Sequence, residues 1–238
     1  MKNVYRTPLK YDPQRLLSDL AVAEAMTRYH PHFVPEHNEG GEWKAISLVS
    51  RGGSLDANAT MDDGRYRARV SASDPDRAHA FKKTAILEHC PYFNEVVDSI
   101  KCEKRRVRLW RLDPGGKILK HFDPGESWAA GRARLHLPIV THDDVDFFVA
   151  GERVAMKPGE LWYCDFSKTH WGENRSSVPR VHLVLDIYVS DWLRQHFPSE
   201  SLAERSSNWL YYARVRAQWK LATMTSSLQR KFGRAKAA

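Results

Sequence analysis

Cysteine is scarce in this sequence, which has only three: Cys90, Cys102 and Cys164. No two of them form a Cys-x-x-C pair. An odd and sparse set of thiols is typical of a reducing compartment rather than of a disulfide framework. We therefore expect a cytoplasmic protein without a disulfide framework.

Long hydrophobic runs are also absent from the 238-residue chain. No stretch of about 18 consecutive apolar residues occurs, so the sequence predicts no membrane-spanning helix. Residues 1–8 (MKNVYRTP) contain no apolar segment of the kind found in secretory signals. Hydrophobic residues still make up 42% of the chain, which is enough for a core, and the length indicates one domain with an appendage.

Acidic residues are almost missing from the C-terminal end. Residues 201–238 hold eight Lys or Arg but one acid, Glu204, so they carry seven of the eight net positive charges. The rest of the chain is nearly neutral, and we expect no nucleic-acid partner for it. Apolar residues at partly helical spacing, including Trp209 and Trp219, predict a basic helical extension. This extension is expected to dock on the body, cap the site, bind an acidic surface or form a homo-oligomer contact.

The preceding chain, residues 1–200, is predicted to form a single domain with two parts. Up to about residue 100 the pattern favours helices, with Asp12 as the N-cap of the first helix and one strand near residues 43–49. From about 101 to 190, short alternating runs separated by turn residues predict closely spaced strands. The predicted fold class is therefore mainly β with flanking helices.

Metal chemistry is indicated by one motif in the β-rich part. His121-Phe122-Asp123 follows an alternating stretch and a turn signal, and His170 comes 47 residues after Asp123. On an extended segment, residues i and i+2 project to the same face, so His121 and Asp123 can reach one metal ion. Two imidazoles and a carboxylate on one face of Fe(II) leave positions open for substrates. Arg180, ten residues after His170, has the planar fork that binds a carboxylate of a co-substrate.

A second His-x-Asp sequence, His142-Asp143-Asp144, has the same spacing. It lies in an acidic stretch that is typical of an exposed connection, whereas His121 lies just after a predicted strand and turn. Context therefore favours His121 and Asp123 as the ligand pair.

Four runs of sequence follow one another in a specific order and spacing. They begin at Arg111 (RLDPGGKILKH), Arg134 (RLHL), Gly159 (GELWYCDFSKTH) and Arg180 (RVHLVLD). Together they resemble the aspartyl/asparaginyl β-hydroxylase family over about residues 40–195. Asp123 makes the resemblance closest to the bacterial branch, which includes hydroxylases of free amino acids. The resemblance implies a double-stranded β-helix, the jelly-roll fold related to the cupins, for the part of the chain between about 101 and 190.

The resemblance also implies a role for each site residue. The metal-binding and catalytic residues would be His121, Asp123 and His170, and the residues that contact 2-oxoglutarate would be Arg180, Arg134 and His136. The cofactor would be Fe(II), the co-substrates 2-oxoglutarate and O2, and ascorbate the reductant needed in vitro.

The implied function is hydroxylation of an unactivated C–H bond in a free amino acid or small peptidyl substrate, with release of succinate and CO2. Two alternatives remain open. One is hydroxylation of an Asp or Asn residue within a protein or peptide, and the other is a non-catalytic, cupin-like metal-binding module.

Several other residues near the motifs have two possible roles. Tryptophans that either line the pocket or belong to the core are Trp128, Trp162 and Trp171. Arginines that would favour a carboxylate-bearing substrate are Arg105, Arg106, Arg108 and Arg132. His182 is expected to be structural or exposed.

Overall fold

The computed structural model describes residues 2–32, 37–39, 41–56, 81–123 and 125–198, together with six helical residues between 202 and 213. The rest of the predicted C-terminal extension lies outside the described residues. None of the helices in these ranges combines the length and the apolar character that crossing a membrane requires.

In chain order the elements are β1 (Val4–Lys10), α1 (Pro13–Met26), β2 (His30–Pro31), β3 (Asn38–Glu39), β4 (Trp43–Arg51), β5 (Phe81–Lys83), α2 (Ile86–His89), α3 (Pro91–Ser99), β6 (Lys104–Leu112), β7 (Lys117–His121), a 3-10 turn (Trp128–Ala130), β8 (Arg132–Val140), β9 (Val145–Val149), β10 (Glu152–Arg153), β11 (Glu160–Cys164), β12 (His170–Asn174), β13 (Arg180–Tyr188) and α4 (Asp191–Gln195).

The strands of the described ranges form two antiparallel sheets. The larger has the order β1-β11-β8-β13-β6-β4-β2, with β5 paired to β4, and the smaller has the order β10-β9-β12-β7-β3. Side chains from both sheets, including Phe147 on β9 and Cys164 on β11, share an apolar cluster between them. The fold is a double-stranded β-helix with flanking helices, which confirms the predicted fold class.

The two faces of the larger sheet have different chemistry, as strand β13 illustrates. Val181, Leu183 and Leu185 belong to the main hydrophobic core, which also contains the buried residues of α1 to α3. The alternate residues, among them Arg180 and His182, project to the opposite face because side chains alternate along a strand. The helices therefore cover the apolar face of the sheet and leave the polar face for the interior of the β-helix.

Helix α1 begins where the sequence predicts. The Asp12 carboxylate accepts hydrogen bonds from the backbone N–H groups of Gln14 and Arg15 at 2.8 and 3.3 Å, and Pro13 occupies the first helical position. Buried Leu16 and other apolar residues one turn apart then face the sheet. The N-cap prediction is confirmed.

The predicted division at about residue 100 is wrong, because strands from the N-terminal part join the larger sheet. Strand β4, which confirms the prediction near residues 43–49, pairs with β6, and β1 pairs with β11 at the opposite edge. Strand β1 escapes the sequence pattern because it is an edge strand in which only Thr7 is buried. Its inward face consists of Thr7 and the partly buried Tyr5 and Leu9, which pack against the main core, so the alternation is weak and backbone pairing with β11 fixes the register.

Asp19 links α1 to α3 in a way that can be tested. Its buried carboxylate accepts a hydrogen bond of 2.7 Å from the backbone N–H of Phe93 in the first turn of α3. Asp19→Ala removes the acceptor of this hydrogen bond and leaves the buried N–H of Phe93 without a partner. We therefore expect the substitution to lower the free energy of unfolding by about 1–3 kcal/mol. Urea denaturation followed by circular dichroism measures the effect. The exposed acid Glu88 provides the control, and a loss no larger than that of Glu88→Ala would contradict the expectation.

Candidate active site

Strand pairing brings the two motif histidines together. His121 ends β7 and His170 begins β12, and the two residues are direct partners in the smaller sheet. Asp123 lies two residues beyond His121. One ligand atom from each of the three side chains lies within 4.8 Å of the others, the grouping expected of side chains that share one metal ion. His142, in the other His-x-Asp sequence, is exposed and contacts Asp144 instead.

A backbone carbonyl group fixes the orientation of each imidazole ring. The Nδ1 atom of His121 lies 2.6 Å from the carbonyl oxygen of Leu119, and that of His170 lies 3.0 Å from the carbonyl oxygen of Lys168. A carbonyl oxygen only accepts, so each Nδ1 carries a hydrogen, and Nε2 is the nitrogen of each ring that is left to bind a metal ion. This is how metal-binding histidines are oriented by their outer partners.

The third member of the group is an ionised carboxylate. Burial alone would raise the pKa of Asp123, but Arg134, His170 and His121 outweigh it and lower the pKa to about 2. Burial lowers the pKa of His170 to about 4, so its imidazole is neutral at pH 7. One anionic oxygen and two imidazole nitrogens are a donor set that suits a divalent transition metal.

A buried network of charges fixes the position of Asp123. Arg134 donates to Asp123 Oδ2 at 2.5 Å and, through Nε, to Asp186 Oδ1 at 2.6 Å. Asp186 also accepts from Arg108 at 2.7 Å. Asp123 Oδ1 is left on the side of His121, whose Nε2 lies 3.9 Å away. Arg134 thus orients the triad as well as lining the neighbouring cavity.

The other arginines of the site segments pair with acids of the protein itself. Arg105 donates to both carboxylate oxygens of Glu126 at 2.9 Å, and Arg132 lies 3.7 Å from the same carboxylate. Arg106 lies 3.9 Å from Asp186. These ion pairs give the arginines a structural role, and the contacts do not favour the idea that they select a carboxylate-bearing substrate.

A small cavity beside the triad extends to Arg180. Its wall contains His170 from the triad and both residues of the predicted co-substrate pair on β8. The full lining is Trp43, Trp110, Ile118, Arg134, His136, Phe147, Phe166, His170 and Arg180. The cavity is therefore narrow, mostly aromatic, and cationic at specific points.

Arg180 is the most unusual group in this wall. The residue is 2% exposed, yet within the described ranges neither Nη1 nor Nη2 has a hydrogen-bond partner. Burial lowers the pKa of this guanidinium to about 9, and its Cζ lies 5.2 Å from the centre of the Phe147 ring. A buried cation is costly unless an anion accompanies it. The arrangement therefore fits an anionic ligand that enters the cavity.

His136 and His182 form a buried pair beside Arg180. Their Nδ1 atoms are 3.2 Å apart. Burial, followed by the nearby Arg180 charge, lowers the pKa of both imidazoles well below the usual value. The sequence indicates no role for His182 beyond a structural one. Its position two residues after Arg180, on the same face of a strand, is the signal that would have drawn attention to it.

Two tryptophans that the sequence does not single out line the cavity. Trp43 and Trp110 lie 5.0 Å apart at right angles, on the interior faces of β4 and β6. The three candidate tryptophans lie elsewhere: Trp128 packs in the main core, Trp162 donates to Glu160, and Trp171 stacks on Phe148. These three therefore do not line the described cavity.

Two further histidines, from the segment before β4, lie against the site. The ring of His37 stacks on that of His121 with centroids 3.9 Å apart, and the ring of His32 stacks on Trp43 at 3.7 Å. Neither was indicated by sequence spacing, because the pairing of β3 with β7 brings this segment to the triad.

Comparison with known proteins relates this chain to one family of hydroxylases. A family model described as aspartyl/asparaginyl β-hydroxylase matches residues 14–189. The chain is 28% identical to the L-proline cis-4-hydroxylase of Rhizobium meliloti strain 1021 over 183 residues, which cover 75% of this chain and 58% of the relative. It is 27% identical to an L-proline cis-3-hydroxylase of a Streptomyces species over 186 residues, 75% of this chain and 57% of the relative. The chain thus spans less than two thirds of the length of these relatives.

Two solved structures align with more than three quarters of this chain. A 2OG-Fe(II) oxygenase family oxidoreductase from Burkholderia pseudomallei is 14% identical, with a TM-score of 0.45, over 78% of this chain and 84% of that one. The non-heme alpha-ketoglutarate-dependent epimerase of nogalamycin biosynthesis is 8% identical, with a TM-score of 0.47, over 78% and 76%.

The lowered pKa of His170 predicts a pH-dependent stability for the metal-free protein. The unfolded chain takes up a proton on this residue near pH 6.5, whereas the folded chain does so only near pH 4. The free energy of unfolding is therefore expected to fall as the pH decreases from about 6.5 to 4. Urea denaturation at steps across this window measures the slope. His170→Gln should show a shallower loss than the wild type and than the exposed control His142→Gln; three equal slopes would contradict the assignment.

Proposed function

Because the chain belongs to the aspartyl/asparaginyl β-hydroxylase family, we propose that it is an Fe(II)- and 2-oxoglutarate-dependent dioxygenase. It hydroxylates an unactivated C–H bond of a free amino acid and releases succinate and CO2. The main support is the juxtaposition of two features at one cavity: a group of two histidines and an aspartate, of which His170 lines the wall, and a buried Arg180 that lacks a counter-charge among the described residues.

The donor set fits Fe(II). The Nε2 atoms of His121 and His170 are the ring nitrogens left for the metal, because both Nδ1 atoms donate hydrogen bonds to backbone carbonyl oxygens. Asp123 contributes Oδ1, while Arg134 holds Oδ2. Three protein ligands leave room on the metal for a chelating co-substrate and O2, whereas a closed structural site uses four. Bound Fe(II), with 2-oxoglutarate and O2, would supply the oxidant that replaces the substrate hydrogen by hydroxyl.

The remaining residues bind, orient and exclude water. Arg180 supplies two parallel N–H donors for the far carboxylate of 2-oxoglutarate, a geometry that a lysine does not reproduce. Arg134 and His136 line the path between Arg180 and the triad. Trp110 and Phe166 contribute aromatic walls that keep the cavity dry, which strengthens the interaction of the charged groups inside it.

Free amino acids are the proposed substrate class because both curated relatives are proline hydroxylases. Hydroxylation of an Asp or Asn residue in a peptide has less support from these relatives. A non-catalytic module has less support from the site, since a binding module that keeps the metal for structure has no need of a buried arginine such as Arg180, whose charge has no partner in the described ranges. A single catalytic domain over residues 1–200, and a homo-oligomer contact through the C-terminal extension, remain predictions.

The reaction class is tested by succinate formation. We expect the protein, with Fe(II) and ascorbate in air, to convert 2-oxoglutarate to succinate when one member of a panel of L-amino acids, with proline included, is present. His170→Ala should abolish turnover because it removes a metal ligand, and the exposed His142→Ala should not. Substrate-independent turnover that His170→Ala abolishes would direct the search to peptides. No turnover and no Fe(II) binding would contradict the proposal.

Arg180 is tested separately through co-substrate dependence. Loss of two charge-assisted hydrogen bonds in Arg180→Ala is expected to raise the KM for 2-oxoglutarate by about 100-fold or more, with the KM for the amino acid nearly unchanged. Arg180→Lys should recover only part of the loss. The matched control is Arg175→Ala, since Arg175 is exposed and pairs with Asp146. An unchanged 2-oxoglutarate dependence in Arg180→Ala would remove Arg180 from the site.

A further inference from the structure

Two histidines lie side by side on adjacent strands of the larger sheet. His136 on β8 and His182 on β13 are both buried, with their Nδ1 atoms 3.2 Å apart. Both Nε2 atoms are also buried, and neither has a hydrogen-bond partner among the residues that the structure describes. Buried polar atoms normally have partners, so two orphaned nitrogens next to the uncompensated Arg180 call for a ligand.

The contact between the two rings limits which of their nitrogens can carry hydrogen. Both imidazoles are neutral at pH 7, because burial and the Arg180 charge disfavour the protonated forms. A neutral imidazole carries one N–H, so the pair has two, and the contact between the Nδ1 atoms uses one of them. One Nε2 is therefore a donor and the other a bare acceptor. The identity of the donor depends on which ring meets the ligand.

His136 is the ring that lines the cavity, together with Arg180. The occupant of a cavity with an uncompensated guanidinium is an anion, and an anionic oxygen attracts an N–H and repels a nitrogen lone pair. The favoured arrangement thus has the hydrogen of His136 on Nε2. Its Nδ1 must then accept a hydrogen bond, and the atom within reach is Nδ1 of His182.

We propose that His182 is a positioning residue that donates its Nδ1–H to His136 and thereby holds His136 as a neutral Nε2–H donor for a carboxylate oxygen of 2-oxoglutarate. This inference rests on the proposed function. Its sequence basis is a pair of i, i+2 patterns, Arg180-x-His182 and Arg134-x-His136, on neighbouring strands. Each strand directs both of its residues to the interior face. Strand β13 therefore supplies both Arg180, which is the cation, and His182, which sets the tautomer of His136.

Two substitutions of His182 distinguish a role as a hydrogen-bond donor from a role in packing alone. In His182→Asn the side-chain amide nitrogen takes the place of Nδ1 and keeps a donor, whereas His182→Phe keeps a ring of similar size without one. We expect His182→Phe to weaken 2-oxoglutarate binding by about tenfold, the effect of losing one charge-assisted hydrogen bond. His182→Asn should stay within about threefold of the wild type. Calorimetric titration of 2-oxoglutarate into the Mn(II)-loaded protein without O2 measures binding independently of turnover.

The exposed His142→Phe is the matched control and should bind 2-oxoglutarate as the wild type does. Nitrogen-15 NMR of the imidazoles in the wild-type protein with 2-oxoglutarate supplies a second readout, which decides the question even if His182→Phe does not fold. It should show the Nε2–H tautomer for His136 and the Nδ1–H tautomer for His182.

The opposite tautomers, or equal binding by the wild type and His182→Phe, would overturn the role of His182 while leaving the proposed function intact. Failure of the wild type to bind 2-oxoglutarate would overturn both. If Arg180→Ala weakens the binding of 2-oxoglutarate and His182→Phe does not, the role of His182 is wrong and the proposed co-substrate site stands.

Discussion

The buried carboxylate of Asp186 holds two guanidinium groups at once, and the geometry of the site depends on it. It is 0% exposed and accepts from Arg134 and Arg108 at 2.6 and 2.7 Å. Charges inside a protein are tolerated only when they are paired and hydrogen-bonded, so these three side chains fix one another. Because Arg134 also holds Asp123, the network orients the triad from the interior of the sheet.

Strand β13 carries the paired Asp186 near one end and an arginine without a described counter-charge, Arg180, at the other. Arg180 begins β13 and Asp186 lies six residues later on the same face, yet only Asp186 has its charge compensated within the described ranges. One end of the interior is therefore closed by ion pairs, and the other presents a buried cation to a cavity. An anionic ligand that also reaches the triad is the simplest way to complete such a site, and neutral His136 and His182 then contribute hydrogen bonds without adding charge.

Residues that are close in sequence or carry a strong local pattern were predictable. The N-cap at Asp12, the strand near Trp43, the motif His121-Phe122-Asp123 and the β-rich character after residue 101 all follow from spacing and alternation. Residues whose role depends on pairing were not. Strand β1 has little buried surface to mark it, and Trp110 reaches the cavity because β6 pairs with β13 in the register that places it opposite His182.

The sequence by itself determined which side chains are available for metal and anion binding, and that the chain after about residue 101 would be rich in strands, because residue types and short-range periodicity are local properties. The jelly roll was implied by the family resemblance. Only the tertiary structure decided which of these side chains meet. The pairing of β7 with β12 places His121 opposite His170, and burial then determines which charges require partners. The tertiary structure thereby separates Arg108, which is paired with Asp186, from Arg180, which has no counter-charge among the residues that the structure describes. The sequence shows only that both are arginines and gives no information on these environments.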